Sequence, residues 1–182
     1  VAAAETLAEE AGLAIPPAAV RHGLEAVVWP GRLEVLSRDP LVVLDGAHNP
    51  HGLLALRQAM AEVFRRERVD FLFGLLANRP LEEMAGLLAP IARRVVVAPV
   101  IGGTVPGADP VRVKEAFSSL GVPAEAAADL EEALTMALFG LPPGGLLCVC
   151  GSLYLVGAVR RLWWSRFSGQ KTCQEKGTQA GS

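Results

Sequence analysis

Leu41-Val42-Val43-Leu44-Asp45-Gly46-Ala47-His48-Asn49-Pro50 is the stretch that decides the fold. Four aliphatic residues in a row read as a buried strand. A short polar loop, Asp45 to His48, follows. Asn49-Pro50 then reads as a helix start, with Asn as the N-cap and Pro at the first helical position, where its missing N–H is not needed. A strand that ends in Asp and His and runs into a helix N-terminus is a common way to build a ligand site in α/β folds. The loop lies at the carboxyl end of the strand, and the first turn of the helix offers free N–H groups to an anion.

Outward from that stretch, strands and helices alternate. Residues 33–36 read as a short strand and 37–40 as a turn. Residues 50–66 form an amphipathic helix with Leu53, Leu56, Met60 and Val63 on one face, closed by Arg65, Arg66 and Arg68, cations where the helix dipole favours them. Strands are expected at 70–76, 94–100, 123–127 (weak) and 146–150, and helices at 81–88, 110–120, 130–139 and 153–164. Near-continuous aliphatic strands are expected where helices cover both faces of a sheet. The alternation predicts an α/β fold, a Rossmann-like, mostly parallel, right-handed sheet with helices on both faces. Before it, residues 2–11 and 18–27 read as two small helices without a strand, broken by Pro16-Pro17 and by Trp29-Pro30-Gly31. They cannot bury a core alone, and read as the tail of a preceding domain plus a linker. The organisation expected is therefore 1–29 as the end of a preceding domain, 30–165 as the α/β domain, and 166–182, polar and without apolar period, as a disordered tail.

Composition narrows the function classes. The chain has 182 residues, 51% of them hydrophobic, which excludes a disordered protein. A net charge of −2 and 5% aromatic residues give no case for nucleic acid or an anionic membrane surface. The longest apolar run, residues 146–159, holds two glycines and is too short to span a bilayer. There are three cysteines. Cys148 and Cys150 alternate within one strand and so share a face, while Cys173 stands in the polar tail. That is no disulfide framework and suggests a reducing compartment, hence the cytoplasm. Val1 to Ala11 carries Glu5, Glu9 and Glu10 and no basic start, so no signal peptide is read there.

Asp45 and His48 are the first candidate site residues. Asp45 can simply cap its loop, but two ionisable groups at the carboxyl edge of a central strand raise a ligand role. Asp45-x-x-His48-x-x-His51 also supplies three candidate metal ligands. His51 falls in the first helical turn, so the three need not converge, and no metal site is assigned. Gly151-Ser152 is a second strand end, where Ser152 can cap a helix and still meet a ligand carboxylate. Arg32 stands at the junction, where a linker arginine is a solvated charge or, beside a nucleotide, a phosphate clamp. No G-x-x-x-x-G-K-[ST] phosphate loop and no G-x-G-x-x-G turn is present; Gly169-Gln170-Lys171-Thr172 imitates only the end of the former, without a preceding strand. The domain holds no complete nucleotide site.

Trp29-Pro30-Gly31-Arg32-Leu33-Glu34, Asp45-Gly46-Ala47-His48-Asn49-Pro50 and Gly151-Ser152-Leu153-Tyr154-Leu155-Val156-Gly157, in that order, resemble the folylpolyglutamate synthase/dihydrofolate synthase family of the Mur-type amide ligases. The resemblance covers about residues 1–164. It implies the Rossmann-like C-terminal domain of an ATP-dependent ligase, whose missing N-terminal ATPase domain carries the phosphate loop and most Mg²⁺ ligands. The reaction implied activates a folate or dihydropteroate carboxylate as an acyl phosphate, which the amine of L-glutamate attacks. By position, Arg32 and Asp45 match residues that contact ATP. His48 and Ser152 match positions associated with the incoming glutamate, and His48 is the catalytic candidate. A histidine is expected to donate to a glutamate carboxylate in either protonation state. Asn78-Arg79-Pro80 stands where an Asp-Lys pair is common in the family, which puts that pair's contact in doubt. The chain alone is expected to be inactive. The alternatives are the C-terminal domain of a muramyl-peptide ligase and a non-catalytic α/β binding module.

Overall fold

The computed structural model describes residues 1–167. The expected disordered tail, the phosphate-loop imitation at 169–172 and Cys173 lie almost wholly outside the described residues. The chain divides into two compact units, Val1–Pro30 and the remainder from Gly31. The first consists of α1 (Ala2–Glu10) and α2 (Pro17–Glu25), and among its helical residues only Ala8 is buried.

The second unit is an α/β layered domain. Its elements are β1 (Glu34–Arg38), β2 (Leu41–Leu44), α3 (Pro50–Glu62), β3 (Val69–Phe73), α4 (Leu81–Leu88), β4 (Ala92–Val97), α5 (Pro110–Ser118), β5 (Ala124–Ala126), α6 (Leu130–Phe139), β6 (Leu146–Cys150) and α7 (Leu153–Phe167). They form one six-stranded sheet in the order β1-β2-β6-β3-β4-β5. All pairs are parallel except the edge hairpin β1–β2, where a turn of two residues leaves no room for a crossover. The parallel strands are buried on both faces, which is why they read as aliphatic runs without alternation.

Two cores result. On one face α3, α4 and α5 pack Leu53, Met60, Met84, Leu88 and Phe117 onto Val43, Phe71, Phe73, Cys148 and Cys150. On the other, α6 and α7 pack Leu134, Ala137, Leu155, Val159 and Trp163 onto Val42, Leu44, Leu72, Val96 and Val149. Phe73 and Phe117 meet edge to face, ring centroids 5.4 Å apart, joining sheet and helix. The chain winds from β2 outward through β3, β4 and β5, then returns to insert β6 between β2 and β3. This return makes the switch point of the sheet, and it brings the loops after β2, β6 and β3 together at one edge.

The sequence reading needs correction at element ends. Residue 63 was expected on the core face of the third helix, yet Val63 is exposed, and Phe64 packs against the core instead. Val63 still closes the last turn of α3, with helical dihedrals and its N–H on Ala59 O at 2.9 Å, but that position stands at the rim of the buried stripe, and Phe64, one residue on, takes the core contact. At the other end α7 runs on to Phe167, and Arg166 donates to Glu131 Oε2 at 2.8 Å, so the first residues assigned to the tail are helical.

Candidate functional site

The carboxyl edge of the sheet is built by three short loops that hold one another. Asp45 N–H donates to Val149 O at 2.9 Å, Gly151 N–H to Ala47 O at 2.8 Å, and Gly74 N–H to Cys150 O at 3.3 Å. Each ladder thus runs one step past its strand. Gly151 is required there: its φ is 100°, and a Cβ would stand 2.5 Å from Gly74 O. A Cβ at Gly46 would meet Leu153 Cδ2 at 2.4 Å, so a side chain there would have to turn the exposed Leu153 aside.

Within this frame Asn49 caps α3 as its sequence predicts, accepting Gly52 N–H at 2.8 Å, with Pro50 opening the helix. Both oxygens of Asp45 are used. Oδ2 accepts Leu33 N–H at 3.0 Å and Oδ1 accepts Ala47 N–H at 2.9 Å. The carboxylate therefore ties the loop after β2 to the Gly31–Glu34 segment, where Leu33 itself has a φ of 44°. That segment has a second anchor. Glu34 Oε2 accepts Gly31 N–H at 2.7 Å, and Arg160 Nε of α7 donates to Glu34 Oε1 at 2.9 Å. Arg32, between these two tethers, is exposed.

His48 and Ser152 come together in one small pocket, with Arg79 and Tyr154 in its walls. Its volume is about 80 Å³, room for roughly two or three waters. That is room for one end of a small molecule rather than for a whole amino acid. His48 Nδ1 lies 2.7 Å from Gly46 O. A carbonyl only accepts, so Nδ1 carries the proton and Nε2 of the neutral ring is an acceptor. This corrects the expectation that His48 donates to a carboxylate in either protonation state: only the imidazolium can. Ser152 is buried and caps α7, its Oγ accepting Tyr154 N–H at 3.2 Å, which leaves the hydroxyl hydrogen available. Arg79, half-buried in the loop after β3, has its Nε shut from solvent without an acceptor. The sequence reading noted Arg79 only as a departure in its motif. Its signal was position, since it follows the strand that flanks β6. Arg32 and Asp45 do not line this pocket; they form the adjoining loop pair. Among the described residues no group of three His, Cys, Asp or Glu side chains is arranged to hold a metal ion, so Asp45, His48 and His51 do not form one. Cys148 and Cys150 share one core layer, as their spacing implies. Burial pushes the Cys150 thiol well above its usual range, helped by its contact with Cys148 and by the charge of Asp45.

The family model of the Mur ligase, glutamate ligase domain matches residues 31–153, the sheet from its first loop to the start of α7. The chain belongs to the Mur ligase family. Within that family it is 34% identical to the folylpolyglutamate synthase of Lacticaseibacillus casei over 158 residues, 87% of this chain but 35% of that protein. The Mycobacterium tuberculosis folylpolyglutamate synthase, solved in complex with ADP, superposes with a TM-score of 0.76 at 28% identity, covering 86% of this chain and 37% of that one. A bifunctional folylpolyglutamate synthase/dihydrofolate synthase, solved with Mn, AMPPNP and L-glutamate bound, gives 0.69 at 29% identity, covering 82% and 35%. The chain thus spans about a third of the length of these Mur ligases. No helix among its described residues is long and apolar enough to cross a membrane.

Proposed function

We propose that this Mur ligase domain is the C-terminal part of an ATP-dependent ligase that adds L-glutamate to a folate or dihydropteroate carboxylate. The observation that carries the reading is the switch-point pocket, where His48, Ser152 and Arg79 meet on three neighbouring strand ends. The pocket joins one cationic fork and one hydroxyl, donors suited to a carboxylate, with one imidazole acceptor suited to the amine beside it. The relatives named above are folate enzymes, one of them holding L-glutamate, which favours this branch over muramyl-peptide ligation.

In this reading the carboxylate of the pterin substrate attacks the γ-phosphorus of ATP, ADP leaves, and an acyl phosphate forms. The glutamate amine, having lost a proton from its ammonium form, attacks the acyl carbon. Phosphate leaves, a second proton is lost, and the amide remains. His48 Nε2, with its lone pair free, holds the ammonium and takes its proton. Ser152 and Arg79 hold a carboxylate of the same amino acid. Arg32 meets the phosphates, where charge develops during transfer. Asp45 serves the nucleotide by fixing the backbone beside Arg32. Val1–Pro30 is the end of the ATPase domain, and that domain supplies the phosphate loop and the ligands of the Mg²⁺ that accompanies ATP. The buried free thiols suit a reducing cytoplasm.

Phosphate release by malachite green tests the division of labour. The 182-residue chain with ATP and Mg²⁺ is expected to stay at the buffer rate. In the two-domain enzyme Arg32→Ala is expected to lower kcat about 10²-fold at saturating ATP, the size of one lost preorganised group. Turnover by the chain alone, or a wild-type kcat in the variant, would remove this assignment.

A further inference from the structure

Two side-chain nitrogens among the described residues are buried without a hydrogen-bond partner, Arg79 Nε and Arg66 Nε. The first belongs to the switch-point pocket. The second lies at the opposite, amino edge of the sheet, in a groove of about 670 Å³ between the end of α3 and the approaches to β3 and β4. Leu54, Ala61 and Ile91 form its apolar floor, and Arg57, Arg65, Arg66 and Glu67 its charged walls. Three guanidinium groups face one carboxylate there, a local excess of positive charge in a chain whose net charge is −2. Among the described residues none of the three arginines has an ion pair. The nearby acid Glu62 is taken by Gln58, which donates to it at 2.9 Å.

The helix dipole explains cations just past the end of α3. It does not explain Arg57, which stands inside the helix, nor a guanidinium nitrogen sealed from water with nothing to bond. Nor does it explain Arg65. Its φ of 53° is a conformation that glycine adopts freely and other residues resist, yet the chain places a long cation there, lining the groove with Arg66, which also borders a second groove beside Arg38 and Leu141. Arg68, by contrast, has a structural partner, donating to Ala92 O at 3.0 Å.

We propose that this groove binds a small polyvalent oxyanion, held by the forked guanidinium groups of Arg57, Arg65 and Arg66 over the apolar floor. The volume suits a ligand of metabolite size. Guanidinium forks match phosphate and carboxylate oxygens alike, so both a polyphosphate and an oligocarboxylate meet the chemistry. The site is separate from the switch-point pocket and does not depend on the ligase reading.

Calorimetric titration of the 182-residue chain at low salt, with tripolyphosphate and with tri-γ-glutamate in separate arms, tests it. Saturable binding of either is expected, and the arm that binds identifies the source of the anion. Arg57→Gln, on the exposed helix surface, and Arg66→Gln should each weaken it at least about tenfold, 1.4 kcal/mol. Arg65→Gly should weaken binding while holding or raising the melting temperature, because it relieves the left-handed residue. Arg32→Ala and Arg79→Ala should leave it unchanged. The proposal is overturned if neither anion saturates, if Arg57→Gln and Arg66→Gln bind as the wild type, or if binding disappears with Arg32 or Arg79.

Discussion

Two clusters at opposite ends of the parallel strands, Asp70 with Arg93 and His48 with Ser152 and Arg79, handle charge in opposite ways. At the amino end Asp70 is buried on β3 and is met by Arg93 of β4 through two hydrogen bonds. A nitrogen of Arg93 also donates to Gly140 O at 2.7 Å, ahead of β6. Both carboxylate oxygens of Asp70 and two of the three guanidinium nitrogens of Arg93 have partners there. At the carboxyl end the polar side chains are half-used. His48 spends one ring nitrogen on Gly46, Ser152 accepts without donating, and Arg79 Nε has no acceptor. Saturated networks fix structure, and unsaturated ones have capacity left for a ligand. The same domain thus separates what holds it together from what it is there to hold. Asp45 is the exception at the carboxyl end, since both its oxygens are occupied.

The largest effect expected is on the amino-end cluster. Asp70→Ala removes two charge-assisted hydrogen bonds to Arg93, and about 2–3 kcal/mol of stability should be lost in urea unfolding, with the glutamate and ATP kinetics of the two-domain enzyme unchanged. A loss under about 1 kcal/mol would show that pairing there does little. Asp45→Asn sharpens the exception. The amide must turn one N–H toward a backbone N–H, so about 2 kcal/mol should go. Because Leu33 N–H is the tether beside Arg32, kcat should fall as well. Unchanged stability would mean that the carboxylate is not the fastener of this loop.

The smallest effect is chemical silence. Burial keeps Cys148 and Cys150 inert, and the raised value at Cys150 holds its thiol protonated beyond the pH where a free thiol ionises. Neither should react with a disulfide reagent at pH 8 until urea is added, as read by mass spectrometry of the labelled peptides. Linkage gives the sign. A thiol that ionises more readily when unfolded stabilises the fold fully below its unfolded value, and that contribution falls as pH rises toward the folded one. Labelling of Cys150 in the native chain would break the account of the β6 core.

Much of this arrangement is legible in the residues. Leu41–Leu44 and Leu146–Cys150 announce buried parallel strands by unbroken apolar character, and Asn49-Pro50 announces the start of α3. His48 and Ser152 could be placed on one edge because parallel strands share their carboxyl ends. What stayed hidden depends on tertiary geometry. Val63 and Phe64 exchange places at the last turn of α3, where the helix ends before the expected pattern does. Asp70 opens one expected strand and Arg93 stands just before another, and only the register of β3 on β4 makes them a pair. Arg79 gains its meaning from strand order, since β6 must insert beside β3 before the loop after β3 can reach Ser152. The tautomer of His48 depends on a loop carbonyl two residues away.

The central claim, that the carboxyl-edge pocket takes the incoming amino acid, is tested most directly by steady-state kinetics of the two-domain enzyme with each substrate varied in turn. His48→Ala, Ser152→Ala and Arg79→Ala should each raise KM for L-glutamate at least about tenfold, 1.4 kcal/mol, and move KM for ATP much less. A rise in the ATP KM with the glutamate KM unmoved would contradict the account and give the pocket to the nucleotide.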